Sequence, residues 1–172
     1  MPGATISLDG RYLTAAELDL GAAGLWDLAG IEVYRGPQTT SQGANSIAGA
    51  VVMRTNKPVF SGESAAQVIV GSRDKKRVSL MASDGITEDL AIRIALDQSS
   101  RDTFIRYTNP QFTAHDFDLN WKNQQARAKL LWQPTGTDLS ALLTYSYSKA
   151  KRPNSEMASE PYAKSQNLSL YQ

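Results

Sequence analysis

The pattern of apolar and polar positions changes near Ser64. From there onward the two kinds of side chain alternate with a period of two, which is typical of β-strands whose faces meet different surroundings. The alternating segments are residues 65–71, 77–83, 90–97, 125–133 and 139–148, and a sixth begins near Asn167. The sequence therefore predicts a run of five or six antiparallel strands in the second part of the chain.

The connections between these predicted strands differ in length. The second and fourth are short (DGITED and PTGTD), whereas the third and fifth are long, and the third exceeds twenty residues. Outer-membrane barrels show this asymmetry, with tight periplasmic turns and long extracellular loops. The first connection, SRDKK, is short where a long loop is expected and fits less well.

Aromatic positions favour the same interpretation. Trp132 adjoins the PTGTD turn, while Tyr145 and Tyr147 lie toward the opposite end of the next predicted strand. Rings at both ends of an apolar face are typical of the interfacial girdles of membrane barrels. A soluble antiparallel sheet also alternates, and it stays open as the alternative at this point.

The first part of the chain is mixed. ATISLDGRYLT predicts a strand broken by a turn at Asp9-Gly10, and AAELDLGAAGLWDLAG allows at most a short helix because of its glycines. Two further strands, IEVY and AVVMRT, flank a connection rich in small residues and punctuated by Gly43 and Gly49. Small residues let backbone approach backbone closely, so this connection predicts tight packing against a neighbouring surface.

Composition narrows the choice of function. The 172 residues carry a formal net charge of +1, no cysteine and one histidine, His115. We therefore expect no nucleic-acid partner, no thiolate metal site and no cysteine nucleophile. No apolar run approaches the roughly 20 residues of a transmembrane helix, and Met1-Pro2-Gly3 does not begin a recognisable signal peptide. We expect no cofactor, no catalytic residue and no enzymatic activity.

Several motifs together resemble those of TonB-dependent outer-membrane receptors of the siderophore type. The segments that carry the resemblance are ISLDGRYL (6–13), LWDLAG (25–30), IEVYRGP (31–37), QGAN (42–45), AGAVV (48–52), TNKP (55–58) and ARAKLLWQPTGTDLSALLTYSYS (126–148). The chain departs from the family pattern at Gln42, where a tyrosine is usual, at Ala48, where a glycine is usual, and at Ala29-Gly30, where a charged pair is usual.

The resemblance implies a mostly β fold in two parts. Residues 1–58 would form the C-terminal half of a plug domain, and residues 59–172 would form the first five or six antiparallel strands of an incomplete transmembrane β-barrel. About 22 strands are needed to enclose a plug, so we expect the chain to be a fragment of a longer receptor. The energy-coupling box, the signal peptide and most of the barrel would lie outside it.

The resemblance also implies a function. The intact receptor would reside in the outer membrane of a Gram-negative bacterium and import ferric siderophores or similar scarce chelates when the TonB complex shifts the plug. Its partners would be the TonB complex, the iron-siderophore and outer-membrane lipid. A β-sheet binding or adhesion module that does not transport is the alternative, and a monodisperse, detergent-free monomer would favour it.

Three sets of candidate site residues follow. The plug motif and its contacts with the barrel wall are assigned to Glu32, Arg35, Gly36, Pro37, Gly43 and Gly49. The charges expected on the inner face of the wall are Arg93, Asp97, Arg127 and Lys129. The candidate extracellular ligand contacts are Phe104, Tyr107, Phe112 and His115.

Each set has a simpler alternative. Glu32 and Arg35 would be solvated or paired locally rather than with the wall, the loop aromatics would pack their own loop, and His115 would be solvated. A basic cluster at Arg73, Lys75, Lys76 and Arg77 is interpreted as a solvated loop or a contact with lipid headgroups.

Overall fold

A computed structural model of the chain describes residues 4–19, 25–36, 48–103, 105–107, 120–151 and 168–170. These residues are almost entirely β-structure, as the alternating pattern predicts. In chain order the elements are β1 (Ala4–Leu8), β2 (Arg11–Tyr12), α1 (Ala15–Asp19), β3 (Leu28–Arg35), β4 (Gly49–Thr55), β5 (Glu63–Gly71), β6 (Lys75–Gly85), β7 (Leu90–Arg101), β8 (Ile105–Tyr107), β9 (Trp121–Trp132), β10 (Ala141–Lys151) and β11 (Leu168–Leu170).

The first four strands form a sheet of order β2-β1-β4-β3, which we call the N-terminal sheet. The predicted turn at Asp9-Gly10 joins β1 to β2, and both turn residues have positive φ, 49° and 81°. Positive φ at both central positions is the type I′ pattern that matches the twist of a hairpin. Strand β4 lies at the centre of the sheet, parallel to β1 and antiparallel to β3.

The helix α1 is short and well capped. The backbone N–H of Thr14 donates to the Glu17 carboxylate at 2.8 Å, and the Glu17 N–H donates to the Thr14 hydroxyl at 3.2 Å. This reciprocal arrangement is a capping box, which fixes where the helix begins. Within the described residues, no helix combines the length and the apolar character needed to cross a bilayer.

Five longer strands form the C-terminal sheet, of order β10-β9-β7-β6-β5, in which every neighbouring pair is antiparallel. The five alternating segments of the sequence correspond to these strands, which extend beyond the predicted bounds at several ends. Among the described strands the sheet is open, with β5 and β10 at its edges.

One part of the topology was not predicted. The long third connection contains a short strand, β8, which pairs with β11 near the end of the chain in a separate two-stranded sheet. Strand β11 is the sixth strand that the sequence predicts near Asn167, but among the described strands it pairs with β8 and does not extend the C-terminal sheet. Strand β8 itself has only three residues, which leave no measurable alternation in a sequence.

The two faces of the C-terminal sheet meet different surroundings. The face toward the N-terminal sheet buries polar and charged side chains together with small or flexible apolar ones: Ser79, Met81, Ser83, Ala91, Arg93, Ala95, Asp97, Lys129 and Leu131. The opposite face exposes large apolar side chains: Val78, Leu80, Ile94, Leu96, Trp132, Leu143, Tyr145 and Tyr147. A sheet in water has the reverse arrangement, with its apolar face covered.

Candidate functional site

The contact between the two sheets is centred on an ion pair between Asp27 and Arg93. Asp27 directly precedes β3, and Arg93 lies on the covered face of β7; only 3% of either side chain is exposed. The Arg93 Nε donates to Asp27 Oδ2 at 2.8 Å and its Nη2 donates to Oδ1 at 2.5 Å, so the guanidinium binds the carboxylate in a bidentate manner. A third nitrogen of Arg93 donates to Glu63 at 3.0 Å.

Asp27 is held in position from its own sheet. The Asn56 side chain donates to Asp27 Oδ1 at 2.8 Å, and the Asn56 backbone N–H donates to the Asp27 carbonyl at 3.1 Å. The Asp27 backbone has a φ of +60°, a conformation that aspartate tolerates better than most residues. The residue after β4 thus fixes the turn that presents Asp27 to Arg93.

A second ion pair lies beside the first. The Lys129 ammonium, 3% exposed, contacts the Asp9 carboxylate at 3.2 Å and donates to the Thr55 carbonyl at 3.3 Å. Asp9 accepts in turn from the Thr55 backbone N–H at 2.8 Å and from the Thr55 hydroxyl. The hairpin turn of the N-terminal sheet therefore meets the C-terminal sheet through a carboxylate that Thr55 orients.

Trp26 and Arg127 complete the contact. The Arg127 Nη2 donates to the Trp26 carbonyl at 2.8 Å, and Arg127 lies 4.0 Å from Asp27. The Trp26 indole N–H donates to the Leu80 carbonyl at 3.0 Å. Three cations of the C-terminal sheet thus converge on two turns of the N-terminal sheet.

The environment keeps both aspartates ionised. Burial alone would raise the pKa of Asp27, but hydrogen bonds from Arg93 and Asn56 and the charges of Arg93 and Arg127 outweigh it, so the pKa lies below its ordinary value. Burial likewise opposes ionisation of Asp9, and hydrogen bonds from Thr55 with the Lys129 charge hold the pKa of that carboxyl below its ordinary value. Both carboxyls are therefore ionised at neutral pH.

Of the four predicted wall charges, Arg93, Arg127 and Lys129 lie together in this contact. Asp97 lies on the same covered face but is bound within the C-terminal sheet, accepting from Arg77 at 2.7 Å and from the buried hydroxyl of Ser79 at 2.5 Å. Asp97 therefore neutralises a cation of its own sheet and is not one of the groups that meet Asp9 or Asp27.

Among the described residues, Glu32 and Arg35 lie outside this contact, and their assignment to a barrel wall stays a prediction. The Glu32 carboxylate pairs with Arg54 on the neighbouring strand and accepts from the Tyr34 hydroxyl at 2.6 Å. Those hydrogen bonds, that of Tyr34 first, hold the pKa of Glu32 below its ordinary value. Arg35 is exposed at the end of β3. Glu32 thus follows the simpler alternative of local pairing, because β3 is the edge strand on the far side of β4.

Two of the motif glycines, Gly36 and Gly49, have positive φ angles that residues with a side chain rarely adopt. Gly36 has a φ of +83° and Gly49 a φ of +144°, and a Cβ at Gly49 would overlap the carbonyl oxygen of Tyr34. A side chain at Gly49 would therefore separate β3 from β4. Pro37 and Gly43 lie outside the described residues.

The candidate ligand contacts are not tested by the structure. Phe104, Phe112 and His115 lie outside the described residues, and Tyr107 is described only as part of the backbone of β8. In the part of the chain that the structure describes, no group of three or more His, Cys, Asp or Glu side chains is placed to hold a metal ion.

Sequence reasoning missed the two aspartates that carry the contact. Their signal was present: the predicted inner face holds four cations, Arg77, Arg93, Arg127 and Lys129, and one acid, Asp97. Buried charges need partners, so that imbalance predicts acids on the facing sheet. Asp9 and Asp27 were instead interpreted only as parts of a turn signal and of a family motif.

No protein-family model matches the sequence. The ferric yersiniabactin uptake receptor FyuA of Yersinia pestis superposes with a TM-score of 0.72 at 23% identity, covering 84% of this chain and 22% of that receptor. The pyoverdine outer membrane receptor FpvA of Pseudomonas aeruginosa PAO1 superposes with a TM-score of 0.67 at 17% identity, covering 85% of this chain and 20% of that receptor.

A third solved structure agrees. The siderophore receptor PirA of Pseudomonas aeruginosa superposes with a TM-score of 0.63 at 21% identity, covering 87% of this chain and 27% of that receptor. The chain thus spans between 20% and 27% of the length of these three proteins, all of them described as receptors. At such identities the likeness concerns the fold. The chain has the fold of one segment of an outer-membrane siderophore receptor.

Proposed function

We propose that this chain is a segment of a TonB-dependent receptor in the outer membrane of a Gram-negative bacterium. Residues 1–58 are the C-terminal part of its plug, and residues 59–172 begin its barrel. The intact receptor takes up ferric siderophores or similar scarce chelates by energy-coupled transport. Solved structures of the same fold are described as receptors for pyoverdine, yersiniabactin and enterobactin, which supports this ligand class.

The observation that carries the proposal is the reversed polarity of the C-terminal sheet. Its apolar face is exposed and its charged face is covered by a sheet with tight turns. A transmembrane barrel has this arrangement, because lipid surrounds the outside and polar groups line the lumen. The Asp27–Arg93 pair lies where a plug meets the inner wall, so the segment contributes part of the contact that holds the plug.

The apolar face has dimensions suited to a bilayer. Strand register aligns the outward positions in four rows, of which the first is Leu80–Leu96–Ala126–Tyr147 and the last contains Leu90 and Trp132. At about 3.4 Å per residue these rows span roughly 20 Å along the strands, of the same order as the ~25 Å apolar band of outer-membrane barrels. Tyr147 and Trp132 occupy the two ends of the band, where aromatic girdles lie.

Uptake by whole cells tests the proposal. An iron-starved Gram-negative host that lacks its own ferric-siderophore receptors would express the complete reading frame containing this chain. We expect accumulation of radiolabelled ferric siderophore in cells with an intact TonB complex and none in cells without it. A host that binds the label at its surface equally with and without TonB, and never accumulates it, would contradict transport.

The alternative function, a binding or adhesion module that does not transport, predicts a different behaviour of the isolated chain in solution. Such a module would be a monodisperse monomer without detergent, whereas a barrel segment with an exposed apolar face requires detergent or aggregates. Size-exclusion chromatography with light scattering, with and without detergent, distinguishes the two.

A further inference from the structure

Arg93 differs from the other two cations of the contact in the position of its partners. Within the described residues, the ion pairs and hydrogen bonds of the Lys129 and Arg127 side chains lead only to the N-terminal sheet and its turns. Arg93 binds Asp27 at the N-terminal sheet and also donates to Glu63, the first residue of β5, at 3.0 Å. Of these three cations, Arg93 is therefore the one with an acid on each side of the contact.

Glu63 and Arg93 lie in one row of the covered face of the C-terminal sheet. Register pairs Glu63 with Ser83 on β6, and Ser83 with Arg93 on β7. The backbones of β5 and β7 are two strand spacings apart, about 10 Å, so the arginine reaches across β6 to meet the glutamate. Because both residues belong to one sheet, this pair does not depend on where the N-terminal sheet lies.

The two acids share the guanidinium unequally. Asp27 accepts from Nε and Nη2 of Arg93, whereas Glu63 accepts from Nη1. The Asp27 side chain is 3% exposed and the Glu63 side chain is 49% exposed. Glu63 is thus partly solvated at the edge of the sheet, where its carboxylate has room to turn toward the nitrogens that Asp27 occupies.

We propose that Glu63 takes over Arg93 when the N-terminal sheet moves away from the C-terminal sheet, an inference that rests on the proposed function, in which the plug moves. Removing the partner of a buried charge is costly, and a guanidinium pairs most strongly with a carboxylate that accepts two of its N–H groups. With Glu63 in place, Arg93 exchanges one carboxylate for another. The contact is a switch between two ion pairs, and Glu63 lowers the free energy needed to separate the sheets.

The switch predicts an effect opposite to that of an ordinary ion pair. If Glu63 only stabilised the resting structure, its removal would loosen the contact between the sheets. In the switch, Glu63 contributes most after Asp27 has left, and in the resting structure its charge also repels that of Asp27. Glu63→Gln should therefore make the two sheets harder to separate.

Labelling of a single cysteine measures the separation of the sheets. The chain has no cysteine of its own, and Ala95 is 5% exposed on the covered face, so Ala95→Cys reacts with a water-soluble maleimide mainly when the sheets part. The full chain is labelled in detergent with and without Glu63→Gln. The matched control, Glu88→Gln, makes the same chemical change at an exposed turn position. Ala91, 0% exposed on the same face, takes the reporter if Ala95→Cys does not fold.

We expect Glu63→Gln to slow the labelling by about twofold to fivefold, which is the strength of a solvent-exposed ion pair expressed as an equilibrium constant. Glu88→Gln should leave the labelling rate unchanged. Asp27→Asn removes the other acid, so Arg93 then has the same partner before and after separation. In that background, Glu63→Gln should no longer slow the labelling.

Three results would each overturn the switch. They are labelling that is unchanged or faster in Glu63→Gln, an equal slowing by Glu88→Gln, and a slowing by Glu63→Gln that persists in the Asp27→Asn background. Each would show that Glu63 does not replace Asp27 as the partner of Arg93.

Uptake by whole cells separates this inference from the proposed function. If the labelling rates follow the expected pattern and the complete receptor accumulates no ferric siderophore, the switch stands and the transport proposal fails. If Glu63→Gln does not slow the labelling and uptake depends on TonB, the switch fails and the transport proposal stands.

Discussion

The N-terminal sheet covers its central apolar residues, and the C-terminal sheet exposes most of its large ones. In the N-terminal sheet, Ala50, Val52 and Met53 of the central strand are buried. In the C-terminal sheet, Leu80 is 46% exposed and Leu96 is 44% exposed. Both sheets come from one chain of near-zero net charge, so composition does not explain the difference. The two sheets differ in the surroundings of their faces. The charged contact lies where the covered face of one sheet packs on the other.

The largest expected effect on stability comes from changing the charged contact between the two sheets. A buried ion pair adds little net stability over an apolar pair, since both ions are removed from water, but deleting one partner leaves the other charge buried alone. Replacing Asp27 by leucine deletes the bidentate partner of Arg93. We expect the free energy of unfolding to fall by about 3–5 kcal/mol, measured in detergent by urea titration with tryptophan fluorescence.

Two variants sharpen this result. Asp138→Leu, at an exposed turn position, is the control and should change the stability little. The double variant Asp27→Leu/Arg93→Leu should recover most of the loss, because the buried Arg93 charge is removed together with its partner. Glu63 is exposed, and Arg127, which also lies near Asp27, still donates to the Trp26 carbonyl. A double variant as unstable as Asp27→Leu would assign the loss to the packing of this turn and to the strain of leucine at a φ of +60°, and not to the charge pair.

The second prediction concerns exposed apolar residues, which both sheets possess. Ile94 on the C-terminal sheet is 43% exposed and Ile31 on the N-terminal sheet is 55% exposed. If only the first faces lipid, Ile94→Arg should weaken insertion into neutral vesicles by about 2–4 kcal/mol, the depth-dependent cost of a cation on a lipid face. Ile31→Arg should leave insertion unchanged. Equal effects in a vesicle-partition assay would remove the distinction between the two faces.

The third prediction follows from the pKa values at the contact. Those of Asp9 and Asp27 lie below the ordinary 3.8 in the folded chain, so their stabilising contribution is fully present above that value and is lost as the pH falls through the folded pKa values. The cationic groups that face these two carboxyls are Arg93, Arg127 and Lys129. The unfolding midpoint in urea should therefore be constant near neutral pH and drop steeply in acid.

A matched variant isolates these two carboxyls. Asp9→Asn/Asp27→Asn preserves size and the tolerance for positive φ but does not titrate. Its stability at neutral pH should be lower than that of the wild type, and its acid-induced drop should be smaller. An identical drop in the variant would assign the pH dependence to other acids.

The ease of prediction also differs between the two regions. All five strands of the C-terminal sheet follow from the period of two, because each of its faces is uniform over many residues. The short strands of the N-terminal sheet follow mainly from turn signals and from family resemblance. The local sequence around Ile31 also could not show that β3 lies at the edge of its sheet, where Glu32 pairs with Arg54 on the neighbouring strand.

The ion pairs themselves depend on distances across the fold. The sequence shows four cations on one face of the C-terminal sheet, but residues 27 and 93 are brought together only by the packing of the two sheets. Charge imbalance on a predicted covered face indicates that a partner exists. It does not identify which of the chain's many acids provides it.

The smallest expected effect compares two hairpin turns of the same kind. Asp9-Gly10 and Arg73-Asp74 both have positive φ at the two central residues, and the second turn is closed by the Lys75 N–H donating to the Ser72 carbonyl at 3.3 Å. Asn-Gly and Asp-Gly suit this geometry, whereas arginine does not. We expect Arg73→Asn/Asp74→Gly to raise the free energy of unfolding by about 0.5–1 kcal/mol.

The reverse change provides the control. Gly10 has a φ of +81° and open space around its Cβ position, so Gly10→Asp adds backbone strain without a clash and should destabilise the chain by about 1 kcal/mol. Loss of the exposed Asp74–Lys76 pair subtracts little from the gain at the other turn. If the Asn-Gly variant is instead less stable, the side chains of Arg73 and Asp74 make contacts that outweigh the strain of their positive φ.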